Sequence, residues 1–156
     1  MRRALVALAV SLIALTAYGG DEALLVGSWK LIEWRQARVS DGSEKVFGAG
    51  EISGRLFYDS SGNMAVQYVF HNRQRFAGTS IQDGTTEEIK QAFMSFGAYF
   101  GKYVLDAEKR QVTHLVEANL FPNSSGSTQV RTYEIEGNKL ILKTPALALR
   151  SKDATK

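Results

Sequence analysis

Two histidines, His71 and His114, are the only imidazoles in the sequence, and there is no cysteine. Imidazole titrates nearest neutrality, so each offers acid–base chemistry or a single metal ligand. His114 lies in the run Val112-Thr-His-Leu-Val-Glu117. Alternation puts Val112, His114, Val116 and Ala118 on one face, more apolar than the face bearing Thr113, Glu117 and Asn119. His114 is therefore expected to point inward, near Gln129 and Arg131 of the next strand. An inward neutral histidine either handles a ligand or its protons, or is a core residue satisfied by its neighbours. A His114–Glu117 dyad would need a bulge between the two. His71 falls in the loop Phe70-His-Asn-Arg-Gln-Arg75 and reads as a surface residue. Two separated histidines with no carboxylate cluster predict no metal site, and no cofactor is expected.

Arg131 poses a second question. An inward guanidinium needs compensation, because an unpaired buried charge is costly. A ligand carboxylate would supply it through charge-assisted hydrogen bonds. An aromatic face would supply about 0.5–2 kcal/mol of cation–π attraction. Tyr58, Tyr68, Tyr99 and Tyr103 offer hydroxyls to a cavity, or bury their rings with the hydroxyl wet. Leu56, Met64, Val66 and Tyr133 complete an inward-facing set. No serine-nucleophile elbow, phosphate-binding glycine loop or HExxH motif occurs. Asn123-Ser-Ser125 matches a glycosylation sequon and reads as a polar hairpin loop.

The elements that must hold these residues are mostly strands. Gly27 to Arg35 alternates with period two, and Ser40-Asp-Gly-Ser43 is a turn. Glu51 to Tyr58 and Asn63 to Phe70 form a hairpin across Asp59-Ser-Ser-Gly-Asn63. Thr85-Thr-Glu-Glu88 reads as a capping box. Ile89, Ala92, Phe93 and Phe96 then fall at i, i+3, i+4 and i+7, predicting a helix over 86–96 that Gly97 ends. Strands follow at 101–105, 111–121, 128–135 and 139–144. Short strands joined by tight turns, with one inserted helix, predict an antiparallel up-and-down meander. Such a meander removes its edges by closing, and about eight strands leave room for one small ligand.

Met1-Arg-Arg3, the apolar stretch Ala4 to Ala17 and small residues at Ala17 and Gly19 have the layout of a secretory signal over 1–19. The apolar run is shorter than the ~20 residues that span a bilayer. The mature chain is thus expected to have no membrane span and to reside in the periplasm or outside the cell. Removing Arg2 and Arg3 from 19 basic residues leaves 17 against 16 acidic ones, so the net charge falls from +3 to +1. With no basic stripe, nucleic acid is not an expected partner.

Ordered blocks carry a resemblance. They are Leu25-Val-Gly-Ser-Trp-Lys-Leu31, Gly54-Arg-Leu-Phe-Tyr58 with Gly62-Asn-Met64, and Val112–Glu117 with Phe121-Pro-Asn123 and Gln129-Val-Arg131. Gly137-Asn-Lys-Leu-Ile-Leu142 completes the set. Over residues 24–145 the chain resembles the bacterial lipocalin-like domain family, of the lipocalin (calycin) superfamily. The resemblance implies a closed calycin-type β-barrel, with 146–156 as a tail. It also implies that Trp29 plugs one end and that Arg131 stacks on it as a structural lock. Ser124 stands where the family often has an aromatic, and lipocalin-type disulfides are absent. The expected function is binding of a small, mostly apolar molecule, with His114, Gln129, Tyr58, Tyr68, Met64, Val66 and Tyr133 as ligand contacts. One alternative is an isomerase, cyclase or dehydratase using His114 as acid/base in the same cavity. Another is a ligand-free structural or interaction module.

Overall fold

The computed structural model describes residues 20–38 and 41–144. The expected leader and the tail 146–156 lie outside the described residues. The elements are α1 (Asp21–Leu25), β1 (Gly27–Lys30), β2 (Glu33–Ala37), β3 (Glu44–Gly48), β4 (Ile52–Tyr58), β5 (Asn63–Phe70), α2 (Thr86–Met94), β6 (Phe96–Asp106), β7 (Gln111–Asn119), β8 (Thr128–Glu136) and β9 (Lys139–Lys143). No described helix is long and apolar enough to cross a membrane.

Seven strands form one antiparallel sheet in the order β1-β4-β5-β6-β7-β8-β9, and β2 and β3 form a separate hairpin. The sheet curls into a nearly closed barrel. Trp29 of β1 and Leu140 and Leu142 of β9 pack against the same buried cluster, although the two edge strands share no ladder. This is the expected lipocalin-like architecture with an inserted helix.

Local chemistry sets the register. The Asp59 carboxylate accepts the backbone N–H groups of Ser61 and Asn63, both at 2.8 Å, and closes the β4–β5 turn. That turn pairs Tyr58 with Met64, hence Leu56 with Val66 and Gly54 with Tyr68. The five side-chain-bearing residues of these three pairs thereby reach the interior together. α2 starts on the expected capping box, Thr85 and Glu88 each satisfying the other's backbone.

Three details differ from the sequence-based expectations. The strand anticipated over Gly27 to Arg35 breaks at Leu31 and Ile32, and Trp34 moves into the β2–β3 hairpin. Only there does its ring meet Tyr68, centroid to centroid at 4.4 Å. The helix stops at Met94, where the Ser95 hydroxyl donates back to the Gln91 carbonyl at 2.6 Å. Phe96 and Gly97 instead open β6, and Gly97 is required because a Cβ there would strike the Tyr68 ring. Finally, pairing jumps from Phe100↔Ala118 to Gly101↔Val116, so β7 bulges at Glu117. The extra residue reverses the alternation: Asn119, not Ala118, faces Tyr99. Glu117 stays exposed, so the bulge creates no His114–Glu117 dyad.

One barrel end is packed shut. Leu25 of α1 is 0 % exposed and joins Tyr58, Met64, Tyr103, Val112 and Tyr133 in the core. Around it, the Trp29 indole N–H donates to the Leu25 carbonyl at 2.8 Å, and the Tyr133 hydroxyl donates to the Asp21 carboxylate at 2.6 Å. Truncating Leu25→Ala should cost about 2–5 kcal/mol in urea denaturation, the usual range for a fully buried leucine. A loss below about 1 kcal/mol would show that α1 does not plug the barrel.

Candidate functional site

His114 lies in the middle of β7 and is 0 % exposed. The Tyr58 hydroxyl is 2.6 Å from its Nε2, and the Tyr99 hydroxyl is 3.0 Å from its Nδ1. Burial, reinforced by the nearby positive charge of Arg131, pushes the imidazole pKa down to about 3. It is therefore neutral at physiological pH and carries one N–H for two nitrogens.

The network assigns that proton. Tyr58 is 2 % exposed, and His114 is the only hydrogen-bond partner of its hydroxyl among the described residues. Its O–H must donate to Nε2, since otherwise a buried donor would go unmet. The His114 N–H then sits on Nδ1 and donates to the Tyr99 oxygen. Tyr99 accepts, which leaves its own O–H proton free to donate into the barrel. Burial pushes the Tyr99 hydroxyl above the ordinary tyrosine range, with Arg131 pulling the other way. Tyr58 is raised further by the same cause. Both hydroxyls thus remain protonated.

Arg131 lies beside this triad, with its guanidinium carbon 5.9 Å from the centre of the Tyr99 ring. Its expected stacking partner, Trp29, is replaced by Tyr99. Arg131 extends from β8 toward Gln129, whose side-chain oxygen accepts from Nη2 at 2.8 Å. Trp29 is instead tied to α1 by its bond to the Leu25 carbonyl. The Gln129 amide in turn donates to the Ser127 hydroxyl at 3.3 Å. Among the described residues Arg131 forms no ion pair, and its Nη1 is buried without a hydrogen-bond partner.

Two groups of candidate residues separate by burial. Tyr58, Met64, Tyr103 and Tyr133 belong to the packed closed end. Tyr133 is held by Asp21, and burial with that carboxylate pushes its hydroxyl up to about 12. The Tyr103 hydroxyl donates to the Asp59 carbonyl at 2.8 Å. Val66, Tyr68, Tyr99, Gln129 and Arg131 are only partly buried. Trp34, Phe47, Tyr68 and Phe70 form an aromatic cluster between the hairpin and β5, edge to face except for the tilted Trp34–Phe70 pair. Sequence reasoning missed Trp34 and Phe47 here. The short apolar pair Val46-Phe47 among charged neighbours gave no strand signal.

A groove of about 420 Å³ runs between the hairpin and α2, lined by Lys45, Phe47, Phe70, Asn72, Gln91 and Met94 among others. A second hollow of about 330 Å³ lies where Val66 and Tyr99 approach Asn119 and Leu120. His114 and Arg131 line neither. His71 is on the surface, its ring bonded to the Gly50 carbonyl and the Ser53 hydroxyl, each at 3.0 Å.

The depressed histidine fixes a pH dependence. Between about pH 6.5 and 3 the unfolded chain binds a proton at His114 that the folded barrel refuses. Stability from this group is complete above pH 6.5 and falls as the pH drops toward 3. From pH 6.5 to 5 the slope should steepen from about 0.7 toward about 1.4 kcal/mol per pH unit, measured by urea denaturation. His114→Gln should abolish that slope, and an unchanged slope would disprove the assignment. Tyr58→Phe, which strands Nε2 without a donor, should cost about 1–3 kcal/mol at pH 7.

Comparison with known proteins agrees with this architecture. A protein of Aspergillus oryzae named 4'-hydroxy-3'-methoxypropiophenone carrier protein ppsC is 31% identical over 87 residues, covering 52% of this chain and 78% of that protein. No solved structure matches the chain. The model of a family described as a lipocalin-like domain matches residues 26–155. With a barrel of the expected topology and that match over most of its length, the chain belongs to the lipocalin-like domain family.

Proposed function

We propose that this protein is an exported carrier that binds one small, mostly apolar molecule inside its barrel. The observation that carries this reading is the gradient of burial along the interior. The α1 end is packed tight, whereas Val66, Tyr99, Gln129 and Arg131 retain accessible surface and Tyr68 joins the aromatic cluster with the hairpin. Apolar walls with a few fixed polar groups are the usual composition of a small-molecule site. The relative named as a carrier of an aryl ketone supports the same role. A groove between the hairpin and α2 lies on the same side as the aromatic cluster. The β2–β3 hairpin has no ladder to the barrel, so it can swing without breaking the main sheet. The expected leader adds export, with release into the periplasm or the medium.

A second reading, catalysis by His114, has less behind it. Both ring nitrogens are engaged by tyrosine hydroxyls, and the imidazole is too acidic to act as a base near neutrality. His114 orients Tyr58 and Tyr99 in this account.

A fluorescent apolar aromatic probe should bind saturably with a stoichiometry near one and change the emission of the tryptophan at position 34. Non-saturable partitioning, with Trp34 emission unaltered, would refute binding inside the barrel.

A further inference from the structure

The interior offers donors without acceptors. Arg131 Nη1 is buried and unmet by any described residue. The Tyr99 hydroxyl accepts from His114 and has its own proton left to give. The nearby acceptor is already engaged, because the Gln129 side-chain oxygen takes Arg131 Nη2. No carboxylate of the described residues pairs with the guanidinium. A barrel that only needed a structural arginine would supply it with carbonyls or an acidic partner. Water as the missing acceptor would leave the positive charge uncompensated.

We infer that the barrel selects ligands bearing an anionic oxygen, a carboxylate or a phenolate, which receives hydrogen bonds from Arg131 Nη1 and the Tyr99 hydroxyl. This rests on the barrel-binding reading above and adds the chemical class of the ligand. Tyr99 is the residue that couples the two groups. Its ring lies against the guanidinium, and its oxygen is oriented by the neutral His114. The remainder of the ligand meets Val66, Tyr68 and the aromatic cover. It is therefore flat or flexible and apolar.

Titration calorimetry on the purified full chain at pH 7 tests this with three matched probes. They are a naphthalene carboxylate, its methyl ester, and a nitrated naphthol that is ionised at neutral pH. At least one anion should bind about tenfold or more tightly than the ester. Which anion wins separates a carboxylate ligand from a phenolate one. R131Q should narrow the anion-to-ester ratio to less than about twofold, and Tyr99→Phe should reduce it severalfold. Binding of all three probes at similar affinity, with the ratio unmoved by R131Q, would overturn the inference and leave the barrel-binding reading standing. No binding by any probe would overturn both. If R131Q does not fold, the wild-type ratio alone decides.

Discussion

The imidazole of His114 has a single proton to share between two tyrosine oxygens, and much of the interior is arranged by that constraint. Buried at 0 % exposure, it cannot take a second proton near neutrality without losing the fit on one side. Tyr58 must then donate, which fixes its ring edge-on to Tyr103 at 4.7 Å in the closed end of the barrel. Tyr99 must accept, which fixes its face toward Arg131. One neutral side chain therefore orients both a packing residue and a polar residue. A satisfied network of this kind specifies a unique core more sharply than apolar packing alone.

The two ends of the barrel are held by different forces. Around α1, apolar burial is reinforced by Tyr133 on Asp21 and Trp29 on Leu25. At the other end the cover is aromatic and belongs to a hairpin outside the main sheet. Rings packed edge to face hold such a cover in place without a backbone ladder. The groove beside α2 is lined by polar Lys45, Asn72 and Gln91 as well as apolar Phe47, Phe70 and Met94.

Much of the fold was legible because its signals are local. Alternation, the Asp59–Asn63 turn and the Thr85–Glu88 box each act over a few residues, and they place β4, β5, α2, β7, β8 and β9, whereas β3 and the start of β6 escaped them. The inward direction of His114 was legible for the same reason. Its partners were not, since Tyr58 and Tyr99 reach it from strands 56 and 15 residues away. The bulge at Glu117 was invisible because it depends on Gly101 letting the β7 backbone press close, a contact between strands. Likewise the fate of Trp34 depends on where a hairpin lands, and alternation along one strand carries no such information.

Among the described residues, β1 and β9 share no ladder, so each keeps one edge without a strand partner. Open edges invite a strand from another molecule, and with it aggregation. Here β1 ends in Lys30, and β9 is bounded by Lys139 and Lys143. Lys143 is paired with Glu134, but the Lys30 and Lys139 ammonium groups, one on each edge, repel a like edge brought alongside. A barrel left unzipped at this seam thus resists pairing edge to edge with its own copies.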